Sequence, residues 1–176
     1  MTDFLTDVET LRKQAREEME KGPVTSAYKA DLNRVIDVLN ASLATEIVCN
    51  LRYRQHHFAA KGLQADAVAA EFLVHANEEV EHADRLAERI SQLGGTPDLN
   101  PDSLTSRSHA QYATSTDLTE MIRENLVAER IAIASYTEII SWLGTNDPTT
   151  RRVFEDILTV EEEHADDMLN FLEKMG

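Results

Sequence analysis

Four long stretches of this chain carry apolar side chains at steps of three and four residues, which is the spacing of one face of an α-helix. They cover residues 30–60, 66–93, 117–143 and 146–176. Gly62 follows the first stretch and Gly94 follows the second, as at many helix ends. Asp117 can cap the third, and Asp147-Pro148 offers a cap and a first-turn proline for the fourth. The pattern predicts four helices, each roughly 40 Å long.

A shorter amphipathic helix is predicted over residues 3–21. Its spaced apolar positions are Phe4, Leu5, Val8 and Leu11. This segment lies outside the four long stretches, and a Gly-Pro pair separates it from them. We therefore expect the chain to divide into an N-terminal helical appendage, residues 1–25, and a helical bundle, residues 26–176.

The lengths of the connections predict how the four helices are arranged. Short turns join the first helix to the second and the third to the fourth, which makes two antiparallel hairpins. The polar stretch 94–116 between the hairpins can reach about 75 Å when extended, enough to run the length of a bundle. The expected fold is therefore all-α: a four-helix bundle of two antiparallel hairpins joined by a long crossover.

Ionisable residues interrupt the apolar stripes in a repeated pattern. The sequence Glu-x-x-His-Ala-Asp occurs twice, starting at Glu79 and at Glu161. Residues three apart share one face of a helix, so each motif can present a carboxylate beside an imidazole, His82 or His164. Carboxylate oxygens and imidazole nitrogens together suit divalent transition metals such as iron, manganese or zinc.

The repeat extends upstream of each motif. Glu46 and Glu129 each lie on an otherwise apolar helical stripe, and each is followed seven residues later by a tyrosine, Tyr53 or Tyr136. Glu46 precedes Glu79 by 33 positions, and the corresponding separation in the second half of the chain is 32. The chain therefore contains two copies of one helix pair.

Six ionisable residues on core-facing stripes need neutralisation, because burial of unpaired charge is costly. The set comprises four carboxylates and two imidazoles: Glu46, Glu79, His82, Glu129, Glu161 and His164. Two divalent ions carry a charge of +4 against −4 for the carboxylates. These residues are the predicted ligands of a dinuclear metal site. Tyr53 and Tyr136 are candidates to hydrogen-bond a ligand or act as redox-active groups, and the alternative is that they are core aromatic residues with satisfied hydroxyls.

The remaining histidines and aspartates of this region have simpler interpretations. His75, one turn before Glu79, is expected to be a hydrogen-bonded core residue rather than a ligand. Surface positions are predicted for His56, His57, His109, Asp84 and Asp166.

The bulk composition narrows the function. The net charge is −15, which disfavours non-specific binding to nucleic acid and favours cations. A single cysteine, Cys49, cannot form an intrachain disulfide. The N-terminus lacks the layout of a signal peptide, and no apolar run reaches the ~18 residues of a membrane span. We predict a soluble cytoplasmic protein.

The doubled motif resembles the ferritin-like di-iron superfamily, and within it bacterioferritins and the Dps-like mini-ferritins with a bacterioferritin-type centre. The resemblance covers residues 30–175. It implies that the six predicted ligands bind two irons, with Glu79 and a carboxylate of the third or fourth helix bridging them, and the Glu of the first helix and that of the fourth-helix motif as terminal ligands. It also implies a ferroxidase activity, in which O₂ or H₂O₂ oxidises Fe(II), and storage of ferric mineral in a hollow homo-oligomeric shell.

Two departures from the bacterioferritin pattern bear on cofactor and assembly. Bacterioferritin carries a haem-ligating methionine directly after the second-helix Glu, where this chain has Val80, so no haem is expected. The chain also stops at Gly176, without the short fifth helix of the 24-subunit shells. A 12-subunit shell is therefore favoured over 24 subunits.

Two other functions compete with iron storage. A di-metal redox enzyme that stores nothing, such as a rubrerythrin-like peroxidase or a manganese catalase, would use the same ligands. A DNA-protecting mini-ferritin would need a basic tail, but the basic residues near the N-terminus are interleaved with acidic ones. Nucleic acid is therefore not an expected partner.

Overall fold

The structure, a computed structural model, describes residues 6–62 and 65–175, and this part of the chain is entirely helical without a β-strand. The helices are α1 (Val8–Glu17), α2 (Leu32–Ala59), α3 (Ala65–Gln92), α4 (Leu104–Arg107), α5 (Leu118–Leu143) and α6 (Pro148–Met175). A short 3₁₀ helix, Met19–Lys21, follows α1. The four long helices lie within two residues of their predicted bounds.

The helix starts are fixed by the capping residues that the sequence suggested. The Asp117 carboxylate accepts a hydrogen bond from the backbone N–H of Glu120 and so caps α5. At α6, Asp147 accepts from the N–H of Thr150, and Pro148 is the first helical residue. Both arrangements satisfy backbone donors that a helix start leaves free.

The bundle consists of two hairpins, α2 with α3 and α5 with α6, packed against each other through α2–α5 and α3–α6 contacts. The crossover between the hairpins follows α2. Asn40 accepts from the N–H of Asp98, and Thr45 accepts from the N–H of His109. Arg52 donates to the carbonyl of Gln111 further along. The connection therefore runs along the bundle, which confirms the predicted all-α, ferritin-like arrangement.

The apolar core is divided into two clusters by a band of polar residues. One cluster includes Leu39, Leu43, Leu86, Ile90, Tyr136, Phe154 and Ile157. The other includes Tyr53, Phe72, Met121, Ile122 and Met168. The predicted ligands lie between the two clusters, so the site is enclosed at both ends by packed side chains. No described helix is long and apolar enough to cross a membrane.

The burial of α2 corrects one prediction. His56 was expected at the surface, but its side chain is fully buried, with its ring 5.9 Å from that of Phe72. The crossover covers the α2 face that would be solvent-exposed in a simple bundle, so all residues from 42 to 46 are also buried. His109 is exposed, as predicted, and His57 is half-buried.

The N-terminal helix is shorter than predicted and contributes no buried side chain to the core. α1 has no buried residue, and Val8 is 52% exposed. The predicted apolar positions Phe4 and Leu5 lie outside the described residues. The division of the chain at residue 25 stays a prediction.

Candidate metal centre

The structure brings all six predicted ligands together in the middle of the bundle. Each long helix contributes: Glu46 from α2, Glu79 and His82 from α3, Glu129 from α5, Glu161 and His164 from α6. The most exposed of the six, His82, is only 3% exposed. The helical stripes therefore converge on a site that excludes bulk water.

One half of the site, here called the α2 half, contains Glu46 and His82. Nδ1 of His82 lies 3.0 Å from Oε1 of Glu161, 3.3 Å from Oε2 of Glu46 and 3.8 Å from Oε2 of Glu79. One donor atom from each of these four residues falls within 4.8 Å of the others. They therefore surround a volume suited to one metal ion.

The other half, the α5 half, contains Glu129 and His164. Nδ1 of His164 lies 3.7 Å from Oε2 of Glu161, 3.8 Å from Oε1 of Glu79 and 4.0 Å from Oε2 of Glu129. Glu79 and Glu161 thus turn one oxygen towards each half. Whereas the family pattern suggested a terminal position for the fourth-helix Glu, the geometry puts Glu161 between the halves and Glu129 at the end.

Two tyrosines orient the two outer carboxylates reciprocally. Tyr53 of α2 donates to Oε1 of Glu129 on α5, and Tyr136 of α5 donates to Oε1 of Glu46 on α2. Burial and the neighbouring carboxylate raise the pKa of both phenols well above the ordinary value, so both remain donors at pH 7. Oε2 of each glutamate is left to face the histidine of its own half.

The donor set has the features of a cation site. Five buried atoms of the predicted ligands have no hydrogen-bond partner among the described residues: Oε1 of Glu79, Oε2 of Glu129, both carboxylate oxygens of Glu161 and Nδ1 of His164. Such groups are normally hydrogen-bonded, and unsatisfied ones call for a water or an ion. All five point into the centre, and their mixture of oxygen and nitrogen suits iron, manganese or zinc.

The four carboxylates perturb one another strongly. Burial and the charge of Glu161 raise the pKa of Glu79 and of Glu129 well above the ordinary value. Burial also opposes ionisation of Glu161, but the imidazoles of His164 and His82 beside it hold its pKa below the ordinary value. Without metal, protons therefore take part in neutralising the cluster.

The neighbouring carboxylates also raise the pKa of the two histidines. Burial opposes their charge, but Glu161 and Glu46 raise the pKa of His82 to about 10. Contacts with Glu161 and Glu129 raise the pKa of His164 to about 9 against the same opposition. Metal binding requires neutral imidazoles, so loading the site must release protons.

A buried arginine near the site was missed by the sequence analysis. The side chain of Arg52 is 1% exposed, and its Nε donates to Oδ1 of Asn125 at 2.8 Å. Its described hydrogen-bond partners are uncharged, so it adds positive potential without occupying a carboxylate. Arg52 lies off the stripe that contains Glu46 and Tyr53. It is held between Asn125 of α5 and the carbonyl of Gln111 in the crossover, so helical periodicity gave no signal.

His75 is a buried core histidine, but it lies directly against the α5 half. Its ring stacks on that of His164, with centroids 3.9 Å apart, and its Nδ1 lies 3.2 Å from Oη of Tyr53. Burial and the neighbouring His164 lower the pKa of His75 to about 3. Asp84 and Asp166 are exposed, as predicted.

A family model described as a ferritin-like domain matches residues 36–176. The chain belongs to the ferritin-like family. This finding confirms the resemblance drawn from the doubled motif and agrees with the bundle of two hairpins joined by a crossover.

Individual relatives cover most of the chain. A bacterioferritin from Desulfovibrio desulfuricans is 27% identical over 144 residues, covering 81% of this chain and 74% of its own. A DNA protection during starvation protein from Agrobacterium fabrum is 33% identical over 147 residues, covering 79% and 85%. The bacterioferritin-related protein of Bacteroides fragilis, a dodecameric thioferritin, superposes with a TM-score of 0.80 at 29% identity, covering 96% of this chain and 95% of its own.

Proposed function

We propose that the protein is a ferroxidase that binds two Fe(II) ions per chain and stores the ferric product. One ion occupies the α2 half, with Glu46 and His82 as terminal ligands, and the other occupies the α5 half, with Glu129 and His164. Glu79 and Glu161 bridge the ions. The observation that supports this most directly is the orientation of these two carboxylates, each with one oxygen towards each half.

The charges of the site favour two divalent ions. Four ionised carboxylates balance the charge of two Fe(II) ions. Each Fe(II) gives up one electron to the oxidant, and two Fe(II) with two protons reduce one H₂O₂ to two waters. The protein holds the ions side by side, keeps the outer carboxylates oriented through Tyr53 and Tyr136, and releases protons from His82 and His164 on loading.

Iron binding and oxidation can be tested with one substitution and a matched control. Glu161→Gln removes a negative charge that both halves share and replaces one of the two carboxylate oxygens with an amide nitrogen, which does not bind metal. Glu162→Gln changes an exposed neighbour. We expect apoprotein to bind two Fe(II) per chain without oxygen and to oxidise them when oxidant is added. Glu161→Gln should bind less than one ion per chain tightly, and the control should match the wild type. Equal stoichiometry in both variants would disprove the proposed centre.

The amount of iron retained distinguishes an iron-storage protein from a di-metal redox enzyme that stores nothing. We infer a 12-subunit shell from the resemblance to the dodecameric relative. With excess Fe(II), a shell retains hundreds of irons per particle, whereas a rubrerythrin-like peroxidase or a manganese catalase stops at two metals per chain. A dimer in analytical ultracentrifugation would disprove the shell but leave the centre untouched.

The names of several relatives refer to DNA, but the charge of this chain does not favour that role. A net charge of −15 repels a phosphate backbone, because non-specific DNA binding depends on basic side chains. We expect no shift of duplex DNA in a gel assay at 50 mM salt. Salt-sensitive binding would contradict this inference.

A further inference from the structure

A second group of donor atoms lies beside the α5 half, outside the six residues of the centre. It consists of Glu71 and His75 on α3 and Asp167 on α6, here called the outer trio. Nε2 of His75 lies 3.5 Å from Oε1 of Glu71 and 3.5 Å from Oδ2 of Asp167. The histidine side chain is 1% exposed, whereas the two carboxylates are 33% and 47% exposed. The group therefore connects the buried centre to the surface.

The hydrogen bonds of His75 determine which of its nitrogens faces the carboxylates as an acceptor. The single hydroxyl proton of Tyr53 is donated to Glu129 when that carboxylate is ionised, as it must be to bind a metal. Tyr53 can then only accept from Nδ1–H of His75. In the neutral imidazole this leaves a lone pair on Nε2, which lies 3.5 Å from an oxygen of each carboxylate and makes no hydrogen bond among the described residues.

Three acceptors that face one another repel unless a cation lies between them. The two 3.5 Å distances from Nε2 fit one, because donor atoms about 2.05 Å from a tetrahedral metal ion are about 3.4 Å apart. All three donor atoms lie within 4.8 Å of one another. The arrangement of His75 also matches that of metal-binding histidines, which usually donate their second ring nitrogen to a hydrogen-bond partner. Neither carboxylate has an ion pair with Lys or Arg within the part of the chain that the structure describes.

The internal repeat provides a comparison within the same molecule. Counted from the two Glu-x-x-His motifs, the positions of Glu71, His75 and Asp167 correspond to Val153, Ile157 and Arg85. Val153 and Ile157 are apolar and Arg85 is basic, and Ile157 is packed in the apolar core. Arg85 pairs instead with Asp156. The α2 half thus has no equivalent of the outer trio, so the three donors are not a consequence of the repeated helix geometry.

We propose that Glu71, His75 and Asp167 form a third metal site that takes a single divalent transition-metal ion. With three protein ligands, the ion keeps open coordination positions, as expected of a site that exchanges its metal. The trio lies between solvent and the α5 half and is linked to it through the stacked rings of His75 and His164 and through Tyr53. We assign it a role as a transit site for that half, and this role rests on the proposed function.

The experiment uses Zn(II) as a redox-inert probe of the assembled wild-type protein. Crystals soaked in Zn(II), with anomalous data collected on both sides of the zinc edge, should show an ion between the three side chains in addition to two in the centre. The variant Glu71→Gln/Asp167→Asn should lose only the outer ion. The control Glu81→Gln/Asp166→Asn removes the same charges from exposed positions of the same helices and should keep all three.

The outcomes separate this proposal from the ferroxidase. Two ions in the centre and none at the trio overturn the third site and leave the proposed function intact. An outer ion that survives the double substitution also overturns it. For the transit role, stopped-flow oxidation with one Fe(II) per chain should be several-fold slower in the Glu71→Gln/Asp167→Asn variant, with the same final amplitude. An unchanged rate overturns the transit role.

Discussion

The two halves of the centre share one ligand pattern but differ in what surrounds them. In each half a tyrosine from the opposite hairpin holds the outer glutamate, and a phenylalanine ring packs on that tyrosine. Tyr53 lies 5.8 Å from Phe72, and Tyr136 lies 5.3 Å from Phe154. One turn closer to the motif the repeat breaks, with His75 beside the α5 half and Ile157 beside the α2 half. The ligands are thus present in both halves, whereas the neighbouring residue is polar beside the α5 half and apolar beside the α2 half.

The same set of ligands therefore has more polar neighbours in the α5 half than in the α2 half. On the α5 side, Nε2 of His164 lies 2.8 Å from Oε2 of Glu78, so Glu78 holds this ring from the side away from the centre. Such outer partners orient a metal-binding imidazole and raise its basicity. The positions that correspond to Glu78 and Glu71 in the repeat are Val160 and Val153, which cannot hydrogen-bond through their side chains.

The largest expected effect is the loss of the metal ion from one half of the centre while the other half stays occupied. We expect His82→Gln and His164→Gln each to reduce tightly bound Zn(II) from two ions to one per chain, because each removes the nitrogen ligand of one half. Isothermal titration gives the stoichiometry, and anomalous scattering shows which half remains occupied. If either substitution emptied both halves, the halves would not be separable.

The next effect is on the pH dependence of the metal-free protein. The pKa values of His82 and His164 are raised to about 10 and 9, above the ordinary 6.5, so their protonation stabilises the fold fully below pH 6.5. That contribution is lost as the pH rises through 9 to 10, and the raised pKa values of Glu79 and Glu129 act in the same direction. We expect the Tm of apoprotein to fall between pH 6.5 and 10.

The metal-loaded protein provides the control for this measurement. Its imidazoles are already neutral and its carboxylates ionised, so its Tm should change much less over the same pH range. Equal slopes with and without metal would show that these groups do not titrate as their surroundings imply.

A smaller effect is expected from the tyrosines. Tyr53→Phe and Tyr136→Phe each leave one glutamate oxygen without its donor. Loss of such a partner typically weakens metal binding about 10–100-fold. Tyr53→Phe should be the more harmful, since it also removes the partner of His75 Nδ1. Competition with a zinc-binding dye measures the affinity of each variant, and a larger loss in Tyr136→Phe would reverse the order.

The smallest effect concerns the apolar neighbour of the α2 half. Ile157→Val removes one buried methylene and should reduce the free energy of unfolding by about 1 kcal/mol. Metal stoichiometry should not change, because the cavity lies beside the ligands rather than among them. Denaturant unfolding of apoprotein measures the loss. A changed stoichiometry would show that the apolar wall helps to position the ligands.

Part of the fold and of the site could be predicted from the sequence. The apolar periodicity and the capping residues predicted the four long helices. The doubled Glu-x-x-His motif and its upstream glutamates predicted six converging side chains. The burial of Arg52 was not predictable, because it depends in part on the crossover covering a face of α2 that periodicity marks as exposed. His56 lies three residues after Tyr53 and continues the inward stripe of α2, so its burial beside Phe72 could have been predicted. His75 was predicted as a core residue, but its proximity to Glu71 and Asp167 joins two helices that are far apart in sequence.

By itself the sequence determined which residues share a helical face, because a spacing of three or four residues fixes their direction locally. It thereby determined the kind of donor atoms available and their number. Only the tertiary structure decided that Glu79 and Glu161 face both halves, and that one side of the centre opens towards the outer trio. Those relations depend on the packing of α3 against α6, and no local spacing encodes the distance between two helices.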